Sequence, residues 1–293
     1  MSTDTLSLIL RRLKPSAGVF VHASFRGAWA VDTSGQRMAT FHLIQRGNSW
    51  LHMHGREPRA LHPGDLLVLP RDAEHIVSSS AEVPDPQQVN SAEGVATEDA
   101  DNLMLCGFFE FQGRAAWPLL DALPDAVVID RQDPHTRRLI ELIIVELEGA
   151  PPGTQATLEV YAIALFVQVL RAAMEGGWCE GLLGALADVQ IAKALAAIHE
   201  NPATPWSLQD LAARAGLGRT AFAQRFRDLT GVTPANYLSQ WRMQVATDLL
   251  TGTDDSILAI AEAVGYDSEP AFRKAFRRET GRPPGEVRRG SKL

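Results

Sequence analysis

From about residue 18 to residue 77 the apolar positions come in brief or alternating runs: FHLIQRG (41–47), SWLHMHG (49–55) and DLLVLP (65–70). Gly47, Gly55, Pro63-Gly64 and Pro70 punctuate them. Alternation at a period of two marks half-buried strands, and a turn every ~8–12 residues predicts an antiparallel barrel or sandwich. Residues 78–102 contain no aromatic side chain and are rich in Ser, Pro, Asp and Glu, so they bury little surface and are expected to form a mobile loop. Strand character returns at LMLCGFFEF (103–111), and the β region is expected to end near Pro124.

From His135 the period becomes helical. RRLIELIIVELEG (137–149) and TLEVYAIALFVQVLRAAMEGG (157–177) are separated by Pro151-Pro152-Gly153, which predicts two antiparallel helices. Their apolar richness suits either a core or a dimerisation surface. Asp188 is placed to cap the helix VQIAKALAAIHEN, and Pro202 and Pro205 then break the chain.

Beyond residue 205 the pattern repeats. SLQDLAARAGLGRTAFAQRFRDLTGVTP returns as SILAIAEAVGYDSEPAFRKAFRRETGRPP, with Phe222, Phe226, Thr230, Gly231 and Pro234 recurring as Phe272, Phe276, Thr280, Gly281 and Pro284. Each copy reads as a short helix with Leu211-Ala212 or Ile260-Ala261 buried, a tight turn at Gly216 or Gly265, and a second helix. That is the helix-turn-helix shape, which presents its second helix to a DNA major groove. Helical spacing puts Phe222, Phe226 and Leu229 on the core stripe and leaves Thr220, Ala223, Gln224 and Arg227 free. In the second copy Glu269, Arg273, Lys274 and Arg277 are free. Arg, Lys and Gln can hydrogen-bond base edges, and a small Ala can pack on a thymine methyl. Arg219 and Ser268, at the starts of the two helices, and Arg242, between the copies, complete the candidate DNA-contacting set.

The net charge of −7 argues against a nucleic-acid partner until it is divided along the chain. From Asp188 onward stand 14 of the 28 Lys and Arg against 12 of the 35 Asp and Glu, so the basic excess gathers where the repeat lies. Two cysteines, Cys106 and Cys179, make no disulfide framework and suit a reducing compartment. No run approaches the roughly 20 apolar residues that cross a bilayer, and no membrane partner is expected. The short apolar run at the N-terminus precedes Arg11, Arg12 and Lys14, the reverse of a secretory signal's order, so a cytoplasmic protein is expected. The final Ser-Lys-Leu matches a peroxisomal address only as a three-residue coincidence.

From Asp188 to Arg289 the chain resembles the AraC/XylS family of transcription regulators, in which one long helix, here within ANYLSQWRMQVATDLL, joins two helix-turn-helix units. The resemblance implies that both recognition helices enter successive major-groove segments about 34 Å apart. Thr220, Ala223 and Gln224 then sit where the first helix reads bases, and Glu269, Arg273 and Lys274 where the second does. Double-stranded DNA is the implied partner, with a second copy of the chain and RNA polymerase as further candidates.

The segment 41–75 resembles the small cupin barrel found in a subgroup of these regulators, carried by Gly64-Asp65, Pro70 and His75 of the second cupin motif. His52 and His54 look like the first motif's histidine pair but fall one strand too late, on a strand face that could be solvent-facing. Six of the eight histidines lie between His22 and His75. Histidine is the commonest metal ligand and a thiolate adds a soft one, so His42, His75 and Cys106, with His22 as a fourth, form a candidate site for a divalent metal such as zinc or for a redox signal, a small-molecule signal at the barrel being the third candidate for control of the regulator. The bland alternative is that they pack a barrel that has lost its metal. The expected fold is α+β: a cupin-like β-barrel sensor over 1–130, a helical linker or dimerisation segment over 131–187, and an all-α DNA-binding domain with two helix-turn-helix units over 188–293. The competing readings are a metal-dependent cupin enzyme, for which no acid–base constellation is evident, and a ligand-free architectural DNA-binding protein.

Overall fold

The computed structural model describes residues 4–13, 15–36, 38–87, 89–90, 99–111 and 117–290. Residues 88 and 91–98 of the loop expected to be mobile, and the final Ser-Lys-Leu, lie outside the described residues. Pro15–Cys179 form one compact unit, and the N-terminal helix together with Glu180 onward forms a second.

The first unit is built from two antiparallel sheets facing each other. Strands β1 (Ser16–Phe25), β2 (Ala30–Val31), β3 (Ala39–Arg46), β4 (Ser49–His52), β5 (Arg59–Leu61), β6 (Leu66–Leu69), β7 (Ile76–Ser78), β8 (Asn102–Glu110) and β9 (Val127–Ile129) divide into a five-stranded sheet, β1-β8-β3-β6-β9, and a four-stranded sheet, β2-β7-β4-β5. The β-rich unit is therefore a pair of open sheets rather than a closed barrel among the described residues. The space between them is filled by Phe25, Trp29, Ile44, Leu51, Leu67 and Met104, among others. Alternation then turns Phe41, Leu43, Leu105 and Phe109 to the opposite face of the larger sheet, where they are also fully buried.

That outer face is covered by helix. The N-terminal helix α1 (Thr5–Leu13) belongs to the second unit, and a single turn, α2 (Trp117–Leu120), precedes β9. α3 (Pro134–Gly149) and α4 (Thr154–Gly176) pack on each other, and α4 lies on β1, β8 and β9. The Phe166 ring meets Phe109 and Phe111, each at 5.0 Å between centroids. This explains the apolar richness of α4: one stripe, Leu158, Ala162, Leu165, Phe166, Val169 and Ala173, is buried in the fold. Contrary to the expectation from residue counting, α4 is long and apolar enough to cross a membrane, yet that stripe is spent on the sheet. The segment expected as a separate linker is thus divided by its contacts, with α3 and α4 in the first unit and α5 (Gly181–Ala187) in the second.

The second unit is all helical: α5, α6 (Val189–Glu200), α7 (Leu208–Ala215), α8 (Arg219–Thr230), α9 (Pro234–Gly252), α10 (Ile257–Ala263), α11 (Glu269–Thr280) and α12 (Pro284–Gly290). α1 packs on α6, with Ile9 buried. The boundary between α5 and α6 is set by Asp188, whose carboxylate accepts from the N–H groups of Gln190 and Ile191 at 3.0 and 2.9 Å. The same carboxylate pairs with Arg225 on α8. Those bonds hold its pKa down against the opposing effect of burial.

Replacing Asp188 with Ala removes both the cap and the tie to α8, and is expected to destabilise the protein by about 1–2 kcal/mol. Asp188→Asn keeps the cap and should recover most of that loss, because Arg225 is half exposed and its ion pair is screened. Urea denaturation of the three proteins measures the difference.

Candidate functional site

Each repeat folds as the spacing predicted. Ser207 and Asp210 form a reciprocal cap at the start of α7, each side chain accepting the other's backbone N–H. The helix ends at Gly216, with φ +69°, and the N–H of Leu217 reaches back to the Ala212 carbonyl at 3.0 Å. The second copy repeats the device: Gly265 has φ +81° and Tyr266 N–H donates to Ala261 at 2.9 Å. A left-handed residue at this point lets the chain stop one helix and turn sharply into the next, which is why glycine occupies both positions.

The phenylalanines then fix the roll of α8 and α11. Phe222, Phe226, Phe272 and Phe276 are wholly buried. Arg219, Thr220, Gln224 and Arg227 on α8 are exposed, with Ala223 partly so, and they line one open groove. On α11, Arg273, Lys274 and Arg277 are exposed and line another with Pro283 and Pro284. Two of these side chains are held by neighbours one turn away. Gln224 donates to Asp228 at 2.7 Å, and Arg273 donates to Glu269 at 2.6 Å. No ion pair engages Arg219, Arg227, Lys274 or Arg277 among the described residues. Ser268 caps α11, its hydroxyl accepting from Ala271 N–H at 3.4 Å.

One member of the expected set does not belong to this surface. Arg242, on α9, turns inward, and its guanidinium donates to the carbonyls of Pro202, Thr204, Gly265 and Ala203 at 2.7 to 3.4 Å. A guanidinium has five N–H groups, and carbonyl oxygens already occupy those that a phosphate would need. Arg242 is a structural clamp.

The histidines and Cys106 are partly brought together. Cys106 on β8 stands directly opposite His42 on β3, and its Sγ lies 3.0 Å from His42 Nδ1. On the other side of that ring, His42 Nε2 is 3.2 Å from His75 Nε2, and the Thr33 hydroxyl lies 3.1 Å from both. His75 precedes β7, so the cluster bridges the two sheets. The carbonyl of Ala73 can only accept, at 2.8 Å, so His75 Nδ1 carries the proton and its Nε2 offers a lone pair. One ordering satisfies every atom without charge: the Cys106 thiol donates to His42 Nδ1, His42 Nε2–H donates to the Thr33 hydroxyl, that hydroxyl donates to His75 Nε2, and His75 Nδ1–H donates to Ala73. Burial, reinforced by His75, pushes the pKa of His42 down to about 3. Burial also lowers His75, against the Ala73 carbonyl and the carboxylates of Asp32 and Asp72. Burial raises the Cys106 thiol.

His22 is not part of this group. Cys106 is level with Val21 on β1, and an offset of one residue turns a side chain to the opposite sheet face; His22 is exposed and bonds Gln45. Nor do the other three converge as ligands, because the His42 ring stands between Cys106 and His75. Among the described residues no set of three His, Cys, Asp or Glu side chains gathers around one point. The two Nε2 atoms are nonetheless close to the ~3.3 Å that separates two imidazole nitrogens bound at 2.0–2.1 Å to a tetrahedral ion. His52, expected on a face that could be solvent-facing, is buried and bonds Ser78 Oγ at 2.8 Å and Ser80 O at 3.0 Å, whereas His54 is exposed. Thr33 carries no periodic or motif signal and was not legible beforehand.

The comparisons with known proteins match both halves. A cupin family profile covers residues 4–175, and a helix-turn-helix domain profile covers 211–290. A protein of Streptomyces lividans described as an AraC-like transcription regulator is 32% identical over 98% of each chain. The transcriptional regulator AlkR of Acinetobacter baylyi is 27% identical over 98% of this chain and 100% of its own. Among solved structures, the DNA-binding domain of AdpA in complex with a target DNA is 35% identical, covering 34% of this chain and 91% of that one with a TM-score of 0.34. These relatives are regulators rather than enzymes, which sets aside the catalytic alternative, and the two phased helix-turn-helix units agree with them. The chain belongs to the AraC-like family of DNA-binding transcription regulators, with a cupin N-terminal domain.

Proposed function

We propose that this regulator reads double-stranded DNA base by base through α8 and α11, and that its DNA binding is controlled by a divalent metal such as zinc at the buried cluster of the cupin domain. The observation that carries the first part is the repeated buried Phe pair, which leaves Thr220, Ala223, Gln224 and Arg227 on one helix, and Arg273, Lys274 and Arg277 on the other, free to meet a groove. Arg273, aligned by Glu269, suits the O6 and N7 atoms of a guanine, and Gln224 suits an adenine. Arg219, Lys274 and Arg277 supply phosphate contacts, and Ser268 stands at a helix start where a phosphate can approach.

The spacing of His42 Nε2, His75 Nε2 and Thr33 Oγ1 supports a metal over an oxidant. Both imidazoles are held neutral, the form that binds metal, and the Ala73 carbonyl orients His75 as an outer partner orients a ligand. The buried, protonated Cys106 thiol is a poor target for oxidants, since the thiolate is the reactive form. The regulator acts in the cytoplasm as a homodimer, with RNA polymerase as a partner. Leu142 and Val145 on α3 and Val160 on α4 are apolar and exposed, which supports these helices as the contact between copies.

Five outcomes test this reading. Against a duplex selected from random DNA by the protein, Arg273→Ala is expected to weaken binding by about 1–3 kcal/mol and to relax the preference at one base pair, as read by gel shift on single-base variants. Lys274→Ala should weaken all sequences alike and lower the salt slope by about one. In the cupin domain, zinc binding measured by equilibrium dialysis should be lost in His75→Gln and kept in Cys106→Ser; loss in neither variant removes the metal. Because the folded pKa of His42 lies below its ordinary 6.5, the unfolded chain binds the extra proton, so stability is full above about pH 6.5 and falls as pH drops toward 3. His42→Gln should flatten that slope in denaturation curves. Finally, Val145→Glu should convert the dimer to monomer in light scattering, and a wild-type monomer with and without DNA would remove the homodimer.

A further inference from the structure

The clamp made by Arg242 has a position that ordinary packing does not require. Pro202, Ala203 and Thr204 belong to the connection between α6 and α7, in the first helix-turn-helix unit. Gly265 and Tyr266 form the turn between α10 and α11, in the second. Arg242 projects from α9, the helix that joins them, and bonds carbonyls of both: Pro202 O at 2.7 Å, Thr204 O at 2.9 Å, Ala203 O at 3.4 Å and Gly265 O at 3.3 Å. Its guanidinium also lies over the Tyr266 ring, 5.7 Å from the centroid.

A second observation places the two units in direct backbone contact at the same spot. A Cβ added to Gly265 would stand 2.9 Å from the Ala203 carbonyl carbon and closer still to its oxygen. Gly265 is therefore constrained twice, by its positive φ and by the main chain of the other unit pressed against it. At its counterpart Gly216, the equivalent turn of the first unit, an added Cβ would meet nothing within 4 Å. The asymmetry separates the two glycines: one serves its turn alone, and the other serves its turn and a joint.

We propose that Arg242, seated against Gly265, sets the mutual orientation of α8 and α11 and so fixes the distance along DNA at which the two helices can read together. It is a positioning residue for recognition and touches no DNA itself. The consequence follows from duplex geometry. One extra base pair between two read segments shifts them by about 3.4 Å and rotates them by roughly 35°, so a stiff joint rejects altered spacing and a loose one accepts it. α9 alone holds each unit from one side. The Arg242 bonds brace both units against α9 from the other side, and the Ala203–Gly265 contact ties unit to unit without passing through that helix.

This inference rests on the reading that α8 and α11 both engage DNA, and its test separates the two. The full chain is used with a duplex that wild type selects from random DNA, together with versions carrying one or two base pairs added or removed between the two protected segments. If wild type protects only one segment in hydroxyl-radical footprinting, the two-helix reading fails and the joint has nothing to phase. If it protects two, wild type is expected to lose on the order of tenfold in affinity per base pair of altered spacing, comparable to a mismatch. Arg242→Met, which keeps the aliphatic stem, should still protect both segments but discriminate among spacings by less than about threefold, with an unchanged salt slope because no phosphate contact is lost. Arg242→Lys should fall between the two. Gly265→Ala, which forces Ala203 away, should flatten the same profile by an independent route, and it carries the test should Arg242→Met fail to fold. An unaltered spacing profile in the folded variants overturns the proposal. So does a salt slope lowered by about one with spacing discrimination intact, which would return Arg242 to the phosphate-contacting set.

Discussion

Phe222 and Phe226 meet as tilted rings within α8 at 5.6 Å between centroids, and Phe272 and Phe276 do the same within α11 at 5.5 Å. All four are wholly withdrawn from water. Each such side chain is worth about 1.5–3 kcal/mol buried, so turning either helix about its axis would expose a pair at a loss that no surface contact offsets. The roll of each helix is thereby decided by hydrophobic burial, and the polar face turned outward is what remains. Side chains three and four positions apart share a face, so fixing the Phe stripe also fixes which residues, one or two positions along, point outward.

The cupin domain solves the opposite problem, keeping polar groups inside. His42, His75, Cys106 and Thr33 lie between sheets otherwise filled with Leu, Ile, Val and aromatic side chains. An unpaired buried polar group costs about 1–3 kcal/mol, and a charged one more. The neutral relay from Cys106 through His42 and His75 to Ala73 avoids both penalties, but only while every member stays in place. A change at one atom, by protonation or by a bound cation, therefore requires its neighbours to reorganise. That sensitivity is a property a sensor can use, and a purely apolar core would lack it.

The helix-turn-helix units were legible because period, turn glycines and the repeated Phe pair all point the same way, and the Asp188 cap followed from one residue at a helix start. His42 facing Cys106 was legible as a juxtaposition, since strand pairing can bring two such residues level. What failed was whatever depends on register or on partners far along the chain. His22 was placed in the cluster because sequence counts histidines but does not show which of two alternating faces each one takes. Arg242 looked like a DNA contact because its carbonyl partners are 23 to 40 residues away, and charge alone reads as surface. Thr33 and the docking of α1 on α6 carry no local signal at all. The apolar α4 misled in the other direction, its composition being explained only by the sheet face it covers.

The charge distribution follows from the same economy of faces. The second unit is only slightly basic in sum, yet its acids are placed so that few of them oppose DNA. Asp188 caps α6 and holds Arg225, Asp210 caps α7, and Glu279 pairs with Arg278. Of the three acids on the reading helices, the other two act differently: Glu269 and Asp228 hold Arg273 and Gln224, the side chains best suited to read bases. Phosphates alone offer Arg273 little that its carboxylate partner does not already supply, and exposed pairs of this kind are worth less than about 1 kcal/mol. A guanine edge offers two acceptors in the plane of the guanidinium, which a single carboxylate oxygen does not match. Arg219, Arg227, Lys274 and Arg277, which no ion pair engages among the described residues, can therefore hold the backbone of any sequence, while the paired residues respond chiefly to the right one. Under the proposed reading, affinity and selectivity are carried by different side chains on the same two helices.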